Sequence, residues 1–396
     1  MQKKKHFQTR KILADTLVIV LLALVLMPLH SWIFGTSLLD NPDNAKASVS
    51  ELAYRIQRQQ TEATQSDEIS LVDISGLYGS SSRGDIAALL DSIYDMNPKL
   101  IGVDVRFPAP KVYSVYDSLL AQTAARIADK TVFVCELDSF DMEQHQFKHS
   151  EHSFFKSVKG YSEGYANLMQ NGDDKPVRQY SLFQMLNGVM VYSFPAQLLI
   201  NYLDEDDLSD NTPIIRFEPT LFTCLNPGNL NPELIRDRIV LVGDMHNRGD
   251  SHPTPLGWMQ GLEIHAYTIQ TILERNPVAQ ASVLVLLLLA LAISAVHSFV
   301  VVSTDHLLKV KPSSMMEFVF KQGLVTMGVT YLLNIVMEYV SYISFTVFET
   351  SLALHTLIPE IIKLTAFAKV TYCIVYQVLY KRYAWKWLNY SSYSIQ

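Results

Sequence analysis

The stretch that decides the fold is residues 84–107, "GDIAALLDSIYDMNPKLIGVDVRF". Its first part has apolar residues at helical spacing, and its second part is a short β-branched apolar run, so it predicts a helix followed by a strand. The same alternation continues on both sides of this stretch. Predicted strands lie at 68–75, 99–107, 130–137 and 237–244, and predicted helices at 84–97 and 114–129. This order favours an α/β fold, a mostly parallel sheet with helices on both faces.

Between residues 138 and 225 the periodicity is weaker. Short strands are expected at 163–168, 177–183 and 213–223, and a helix at 193–203. This region therefore predicts smaller elements attached to the main sheet.

Long apolar runs flank the α/β region. Five Lys or Arg and no acid stand in residues 1–11, directly before the first run, and no small-residue cleavage site follows it. This arrangement indicates an uncleaved anchor and not a signal peptide. Four transmembrane helices are expected, at 15–36, 280–302, 323–345 and 357–380.

The distribution of charge predicts the orientation of these helices. Lys and Arg are enriched in the segments 1–14, 303–322 and 381–396, which places those segments in the cytoplasm. An acid-rich domain at 37–278 and a short loop at 346–356 then lie outside. The expected location is the inner (cytoplasmic) membrane, with residues 37–278 periplasmic.

Several classes of function are disfavoured. The formal net charge of −7 gives no reason to expect a nucleic-acid partner. The sequence lacks a Gly-x-Ser-x-Gly elbow, a P-loop and a Gly-x-Gly-x-x-Gly turn, so we expect no enzyme activity, no cofactor and no catalytic residue. Cys135 and Cys224 could pair in an oxidising compartment or could be separate buried thiols.

Candidate ligand-binding residues follow the predicted strands. Ligands of open α/β sheets bind outside the carboxyl ends of the strands, which makes Asp73, Asp104, Asp244 and Asp250 the candidates. With Glu263, His246, His252 and His265 they could surround a divalent cation, but no compact ligand spacing supports a metal site. In the alternative reading each Asp caps a helix or holds a turn.

A second candidate region is "TPLGWMQGLEIHAYTIQTIL", residues 254–273. It predicts a turn ending at Gly257, a relaxed backbone at Gly261 and a final helix of the external domain. Glu263 and His265 are two positions apart and point in different directions on a helix, so they cannot share a ligand. Glu263 suits the positive end of the helix dipole, and His265 is expected to be a packing residue. These four residues are assigned a structural, signal-relaying role.

Polar residues also occur in the expected membrane helices. Asn334 and Glu338 are four residues apart and share one helix face, while Lys363 and Lys369 belong to the last helix. Such side chains are costly in a bilayer unless they are paired, so we expect them to fix helix packing or partner binding. A transport path is the rival interpretation.

Three stretches of this sequence resemble the type-2 CHASE domain, an extracellular sensor associated with cyclases and histidine kinases. They are "LVDIS" with "LIGVDVRFP", then "GYANLMQNGDDKPVRQYSLF", and "RIVLVGD" leading into "GDSHPTPLGWMQGLEIHAYTIQTIL". The resemblance spans residues 37–278, and in the family three membrane helices follow the domain. The loop "DISGLYGSSSRGD" departs from the family pattern, which puts a ligand role of that loop in doubt.

The resemblance implies a sensory or interaction protein. Only about sixteen residues follow the last expected helix, so the output is expected in a separate membrane or cytoplasmic protein. The expected partners are the lipid bilayer and that output protein, and a homo-oligomer is left open. The alternative function is a structural subunit of a cell-envelope complex that has no small ligand.

Overall fold

The computed structural model describes residues 13–14, 16–26, 54, 62–77, 82–110, 114–169, 176–203, 213–218, 220–307, 315–348, 350–351, 361–365, 367–368 and 371. The chain divides into two compact units. One unit is residues 50–279, and the other combines residues 1–49 with residues 280–396. The first unit is the α/β domain.

The elements of the α/β domain alternate between strands and helices at its start and become shorter towards its middle. In chain order they are β1 (Thr64–Asp73), α1 (Ser82–Asp95), β2 (Leu100–Asp104), α2 (Ser114–Arg126), β3 (Thr131–Asp141), β4 (Gln146–Glu151), β5 (Glu163–Tyr165), β6 (Phe183–Leu186), β7 (Val189–Tyr192), α3 (Phe194–Leu198), β8 (Thr220–Leu225), β9 (Ile239–Gly243), β10 (Ser251–Thr254), β11 (Gly257–Gln260) and α4 (Gly261–Leu273).

Nine strands form one sheet in the order β7-β6-β4-β3-β2-β9-β1-β8, and β5 also pairs with β3. The centre is parallel: β2 pairs with β3 and β9, and β1 pairs with β9 and β8. Antiparallel pairing occurs between β3 and β4 and between β6 and β7. The prediction of a mostly parallel sheet in an α/β domain is confirmed.

Alternate residues of the central strands face opposite layers of helices. Ile101 and Val240 belong to a buried cluster with Leu90 of α1 and Leu120 of α2. On the other face, a β-carbon built at Gly102 would meet Leu241 and the ring of Phe194 in α3. The strands are therefore covered on both sides, which explains why their sequences are apolar runs and not alternating ones.

The weakly patterned region was predicted less well. Strands β4 and β7 were not expected, and the strand predicted at 177–183 is replaced by β6, which starts at Phe183. The helix predicted at 193–203 is present but covers only Phe194–Leu198, and a 3-10 helix at Ile200–Tyr202 follows it. These elements lie at the edge of the sheet, where polar residues are tolerated and the apolar signal is diluted.

The second unit is helical where it is described. Residues 16–26 are helical, α5 spans Val283–Leu307 and α6 spans Met315–Phe348, and short strands β12 (Ala279–Gln280) and β13 (Thr350–Ser351) are also present. Apolar side chains of this unit pack into small clusters, for example Ile293 with Met337 and Ile361.

The prediction of four transmembrane helices is wrong. Within the described ranges, no helix combines the length and the apolar character that a membrane crossing requires. His297 and Ser298 are buried in α5, and Asn334 and Glu338 belong to α6.

Some sequence predictions fall on parts of the chain that lie outside the described residues. These are residues 1–12, 308–314 and 381–396 of the segments predicted to be cytoplasmic, parts of the helices predicted at 15–36 and 357–380, and Lys369. The side chains of Asn334 and Glu338 also lie outside the description, whereas Lys363 is exposed in the helical stretch 361–365.

Candidate functional site

The carboxyl ends of three central strands bring the predicted aspartates together. Asp73 ends β1 and Asp104 ends β2, and both are in register with Gly243, the last residue of β9. In-register neighbours of a sheet point to the same face, so both carboxylates lie on the face that α4 covers. Leu262 of α4 contacts this edge, since a β-carbon at position 243 would come within 3.0 Å of it. Asp244 follows directly after Gly243.

Asp73 holds a turn. Its carboxylate accepts hydrogen bonds from the Ser75 backbone N–H at 2.9 Å, from the Ser75 hydroxyl at 2.8 Å and from the Met245 backbone N–H at 3.0 Å. Burial disfavours the charged form, but these hydrogen bonds outweigh burial, and the pKa of Asp73 lies below its usual value. Asp244 acts similarly, accepting from the His246 backbone N–H at 2.8 Å. For these two residues the geometry matches the turn-holding alternative.

Asp104 and Asp250 instead line a cavity of about 580 Å³ beside the carboxyl end of β2 and the middle of β3. Polar side chains in its wall come from Arg106, Glu136 and Asn167. The cavity is also lined by Cys135, His252, Gly261 and His265. This volume lies within the range of about 300–1,000 Å³ that is typical of small-molecule sites.

The two deepest ionisable groups of this cavity are both shifted towards their neutral forms. Burial raises the pKa of Asp104 to about 7, and the nearby carboxylate of Asp250 adds to the shift. Burial lowers the pKa of His265 to about 4; Asp250 opposes this effect and His252 reinforces it. A desolvated cavity therefore holds a carboxyl group that can exchange a proton near neutral pH.

Pairs of oppositely charged side chains also lie at the wall of this cavity. Arg106 forms ion pairs with Glu136 and, at 2.7 Å, with Glu151. The Nε2 atom of His252 lies 3.3 Å from a carboxylate oxygen of Asp250. Arg106 and Asp250 thus already have partners on the cavity wall.

Helix α4 forms one wall of the cavity, and its start is firmly fixed. The Gln260 backbone N–H donates to Glu263 Oε2 at 3.2 Å, which caps the first turn of the helix. Before it, β10 and β11 form a hairpin whose turn ends at Gly257 with φ +115°. The turn and the helix follow the sequence prediction, whereas the hairpin strands were not predicted.

His265 packs edge-on against the ring of Phe194, with centroids 5.2 Å apart, and is almost fully buried. It therefore joins α4 to α3 and also reaches the cavity. Of the predicted site residues, the structure gathers Asp104, Asp250, Gly261 and His265 around one cavity, while Glu263 serves the helix start.

Among the described residues, two groups of side chains have the composition of metal ligands. Asp73, Asp244 and His246 form one, and Cys135, His152 and Glu163 form the other. In each group the ligand atoms lie within 4.8 Å of one another. Sequence reasoning missed the second group because its members are 17 and 11 residues apart and form no local motif.

Cys135 and Cys224 do not form a disulfide. They lie in β3 and β8, which the strand order separates by β2, β9 and β1. Four strand spacings correspond to about 19 Å. A disulfide requires α-carbons within about 7 Å, so the fold keeps the two thiols apart.

The fold is an α/β domain with a mostly parallel sheet and a cavity beside Asp104, the last residue of β2. The chain belongs to the CHASE2 domain family, whose model matches residues 21–298. CHASE2 domains are extracellular sensory domains, and the resemblance drawn from the sequence is confirmed. Neither the curated proteins nor the solved structures contain a match to the chain.

Proposed function

We propose that the α/β domain is an extracytoplasmic sensor that binds a small amine-bearing ligand in the cavity beside Asp104. The observation that carries this proposal is the position of α4. Gly261 and His265 of this helix line the cavity, so an occupant touches the helix directly. The helix ends at Leu273, and the chain enters α5 at Val283.

Charge complementarity selects the class of ligand. The acids Asp104, Glu136 and Asp250 line the cavity against one arginine, Arg106, whose charge is balanced by its ion pairs. A cationic group therefore gains favourable interactions in this low-dielectric space, while an anion meets repulsion. The Asn167 amide exchanges two hydrogen bonds with the backbone of Leu137, so it is a fixed part of the cavity wall.

Binding of an ammonium group would also change the protonation of Asp104. The carboxyl has a pKa of about 7 because of burial and the Asp250 charge, so a substantial fraction is protonated at neutral pH. A positive charge nearby favours the ionised form. Amine binding is therefore expected to release protons into the buffer.

The signal would be a change in the packing of α4. An occupant that contacts His265 acts on the contact between this ring and Phe194 of α3, and a ligand can shift a two-state packing only by binding the two states differently. The recipient in this proposal is a separate membrane or cytoplasmic protein. The domain itself performs no chemistry.

Titration calorimetry of the purified full-length chain tests the ligand class. The probes are L-lysine, L-arginine and putrescine, with succinate as an anionic control of similar size. We expect heat and proton release with at least one amine and none with succinate. Asp104→Asn should remove the proton release, whereas Asp67→Asn, at a highly exposed carboxylate, should leave it unchanged.

The structural-subunit alternative gives a different result. A chain that binds none of these amines and is purified from its native source in a stoichiometric envelope assembly would favour the alternative. Co-purification with a kinase or a cyclase would favour signalling.

A further inference from the structure

Strand β3 changes its edge partner at Cys135. Phe133 is in register with Glu163 and Cys135 with Tyr165, so this part of the strand pairs with β5. From Glu136 onward the partner is β4. The chain leaving β4 and the chain entering β5 therefore meet beside Cys135.

Three different ligand atoms converge at this junction. Cys135 Sγ, His152 Nδ1 and a carboxylate oxygen of Glu163 lie within 4.8 Å of one another. Atoms bound to one zinc ion, at bond lengths of about 2.0–2.3 Å, are separated by roughly 3–4 Å. Small side-chain rotations would bring all three onto one ion.

His152 Nδ1 and Glu163 Oε2 lack ordinary hydrogen-bond partners among the described residues. His152 Nδ1 lies 2.6 Å from Glu163 Oε1 but without the alignment of a hydrogen bond. Glu163 Oε2 is buried and accepts no hydrogen bond from the described part of the chain. Unsatisfied buried polar atoms are costly and call for an explanation, and a bound cation supplies one.

The imidazole is also oriented as metal-binding histidines are. Its other nitrogen, Nε2, is 2.8 Å from the hydroxyl of Ser150. Such an outer contact fixes the ring and leaves Nδ1 facing the other two ligands. The side chains of His152 and Glu163 are 23% and 24% exposed, which gives an ion a path from solvent.

We propose that Cys135, His152 and Glu163 form a Zn²⁺ site. Sulfur, nitrogen and oxygen ligands together suit zinc, whereas Ca²⁺ and Mg²⁺ prefer oxygen alone. Three protein ligands leave a fourth position for water. This site is independent of amine binding, although Cys135 also lines the cavity.

The other group, Asp73, Asp244 and His246, is the weaker candidate. Both of its carboxylates already accept backbone hydrogen bonds that hold the turn after β9. The side chain of His246 is 73% exposed, so the group offers little desolvation to favour an ion.

Metal analysis of the untagged full-length chain tests the site. After zinc loading and dialysis we expect one zinc per chain, and replacement by Co²⁺ should give a thiolate-to-cobalt charge-transfer band. Cys135→Ser should abolish the band, and His152→Gln and Glu163→Gln should each weaken zinc binding at least tenfold. The matched controls Cys224→Ser and His149→Gln, both at exposed positions, should behave like the wild type.

Circular dichroism of each variant establishes that it is folded. If Cys135→Ser does not fold, the two partly exposed positions, His152 and Glu163, provide the decisive variants. The proposal is overturned if the folded wild type shows no charge-transfer band. It is also overturned if the folded variants keep their zinc while Asp73→Asn loses it.

Discussion

The carboxylate of Asp250 lies directly against Gly261, the first residue of α4. A β-carbon at position 261 would come within 2.7 Å of both carboxylate oxygens. The glycine leaves room for the carboxylate beside the positive end of the helix dipole. The contact between Asp250 and Gly261 thus joins the loop after β9 to the start of α4, at the wall of the cavity.

Replacing Gly261 with alanine should therefore destabilise the domain. Alanine normally favours a helix over glycine by about 1 kcal/mol, but overpacking here should cost about 1–3 kcal/mol and reverse that gain. Denaturant unfolding measures the change. In an Asp250→Ala background the same substitution should be neutral or stabilising, because the clash is gone. An equal loss in both backgrounds would contradict the proposed contact.

Opposing pH dependences are expected from Asp104 and His265. In the folded state Asp104 stays protonated up to a pH of about 7, whereas in the unfolded chain it loses its proton near pH 3.8. The contribution of Asp104 to the free energy of unfolding therefore declines as the pH rises from 4 to 7. The folded state excludes a proton from His265 down to a pH of about 4, whereas the unfolded chain binds it near 6.5. The contribution of His265 therefore declines as the pH falls from 6.5 to 4.

Single variants should separate these two contributions. Asp104→Asn should leave a free energy of unfolding that increases with pH between 4 and 6.5, by up to about 1.4 kcal/mol per unit. His265→Gln should leave a free energy of unfolding that decreases as the pH rises from 4 to 7. In the wild type the two slopes largely cancel below pH 6.5. Unfolding measured across this range checks the prediction, and parallel curves for the three proteins would contradict it.

A buried ion pair joins α1 to α2. Arg83 pairs with Asp117 while both side chains are 7% exposed, and Arg83 also donates to the carbonyl of Ala109 at 2.7 Å. Asp117→Ala leaves the guanidinium buried without its carboxylate, and we expect a loss of about 3–5 kcal/mol in the free energy of unfolding. Asp95→Asn, which breaks an exposed pair with Arg126, should cost less than about 1 kcal/mol. Similar losses would show that burial does not control these pairs.

The two cysteines of the α/β domain should differ in reactivity. Cys135 is buried, and burial raises the pKa of its thiol to about 12, whereas Cys224 is exposed. Alkylation by iodoacetamide requires an accessible thiolate. Peptide mass spectrometry should therefore find Cys224 modified in the native protein and Cys135 modified only after denaturation. Modification of Cys135 under native conditions would contradict this expectation.

The sequence predicted the main strands because their signal is local. The run at 99–107 is apolar and β-branched whatever it later pairs with, and the helix before it has its own periodicity. Parallel strands must end at a common edge, so the sequence also indicated that Asp73 and Asp104 lie at the same edge of the sheet, whereas their register with Gly243 depended on strand order. Long apolar runs misled the same reasoning, since no helix in the described ranges has both the length and the apolar character of a membrane span.

The roles of individual aspartates depended on the fold around them. Asp73 and Asp104 have the same position at a strand end, yet Asp73 accepts three hydrogen bonds, while Asp104 faces a cavity shared with Asp250. No pattern in the sequence distinguishes them. The difference arises from the loop after β9. The Met245 backbone N–H of this loop donates to the Asp73 carboxylate, and Asp250 of the same loop lies near the Asp104 carboxylate.

The sequence by itself determined the α/β class, the parallel centre of the sheet and the helix that begins at Gly261, since neighbouring residues along the chain encode these features through periodicity and capping. Tertiary structure alone decided that Cys135 meets His152 and Glu163, and that His265 packs on Phe194. Those side-chain contacts depend on which strands are neighbours in the sheet. Strand order results from the packing of the whole domain, so no short stretch of sequence contains it.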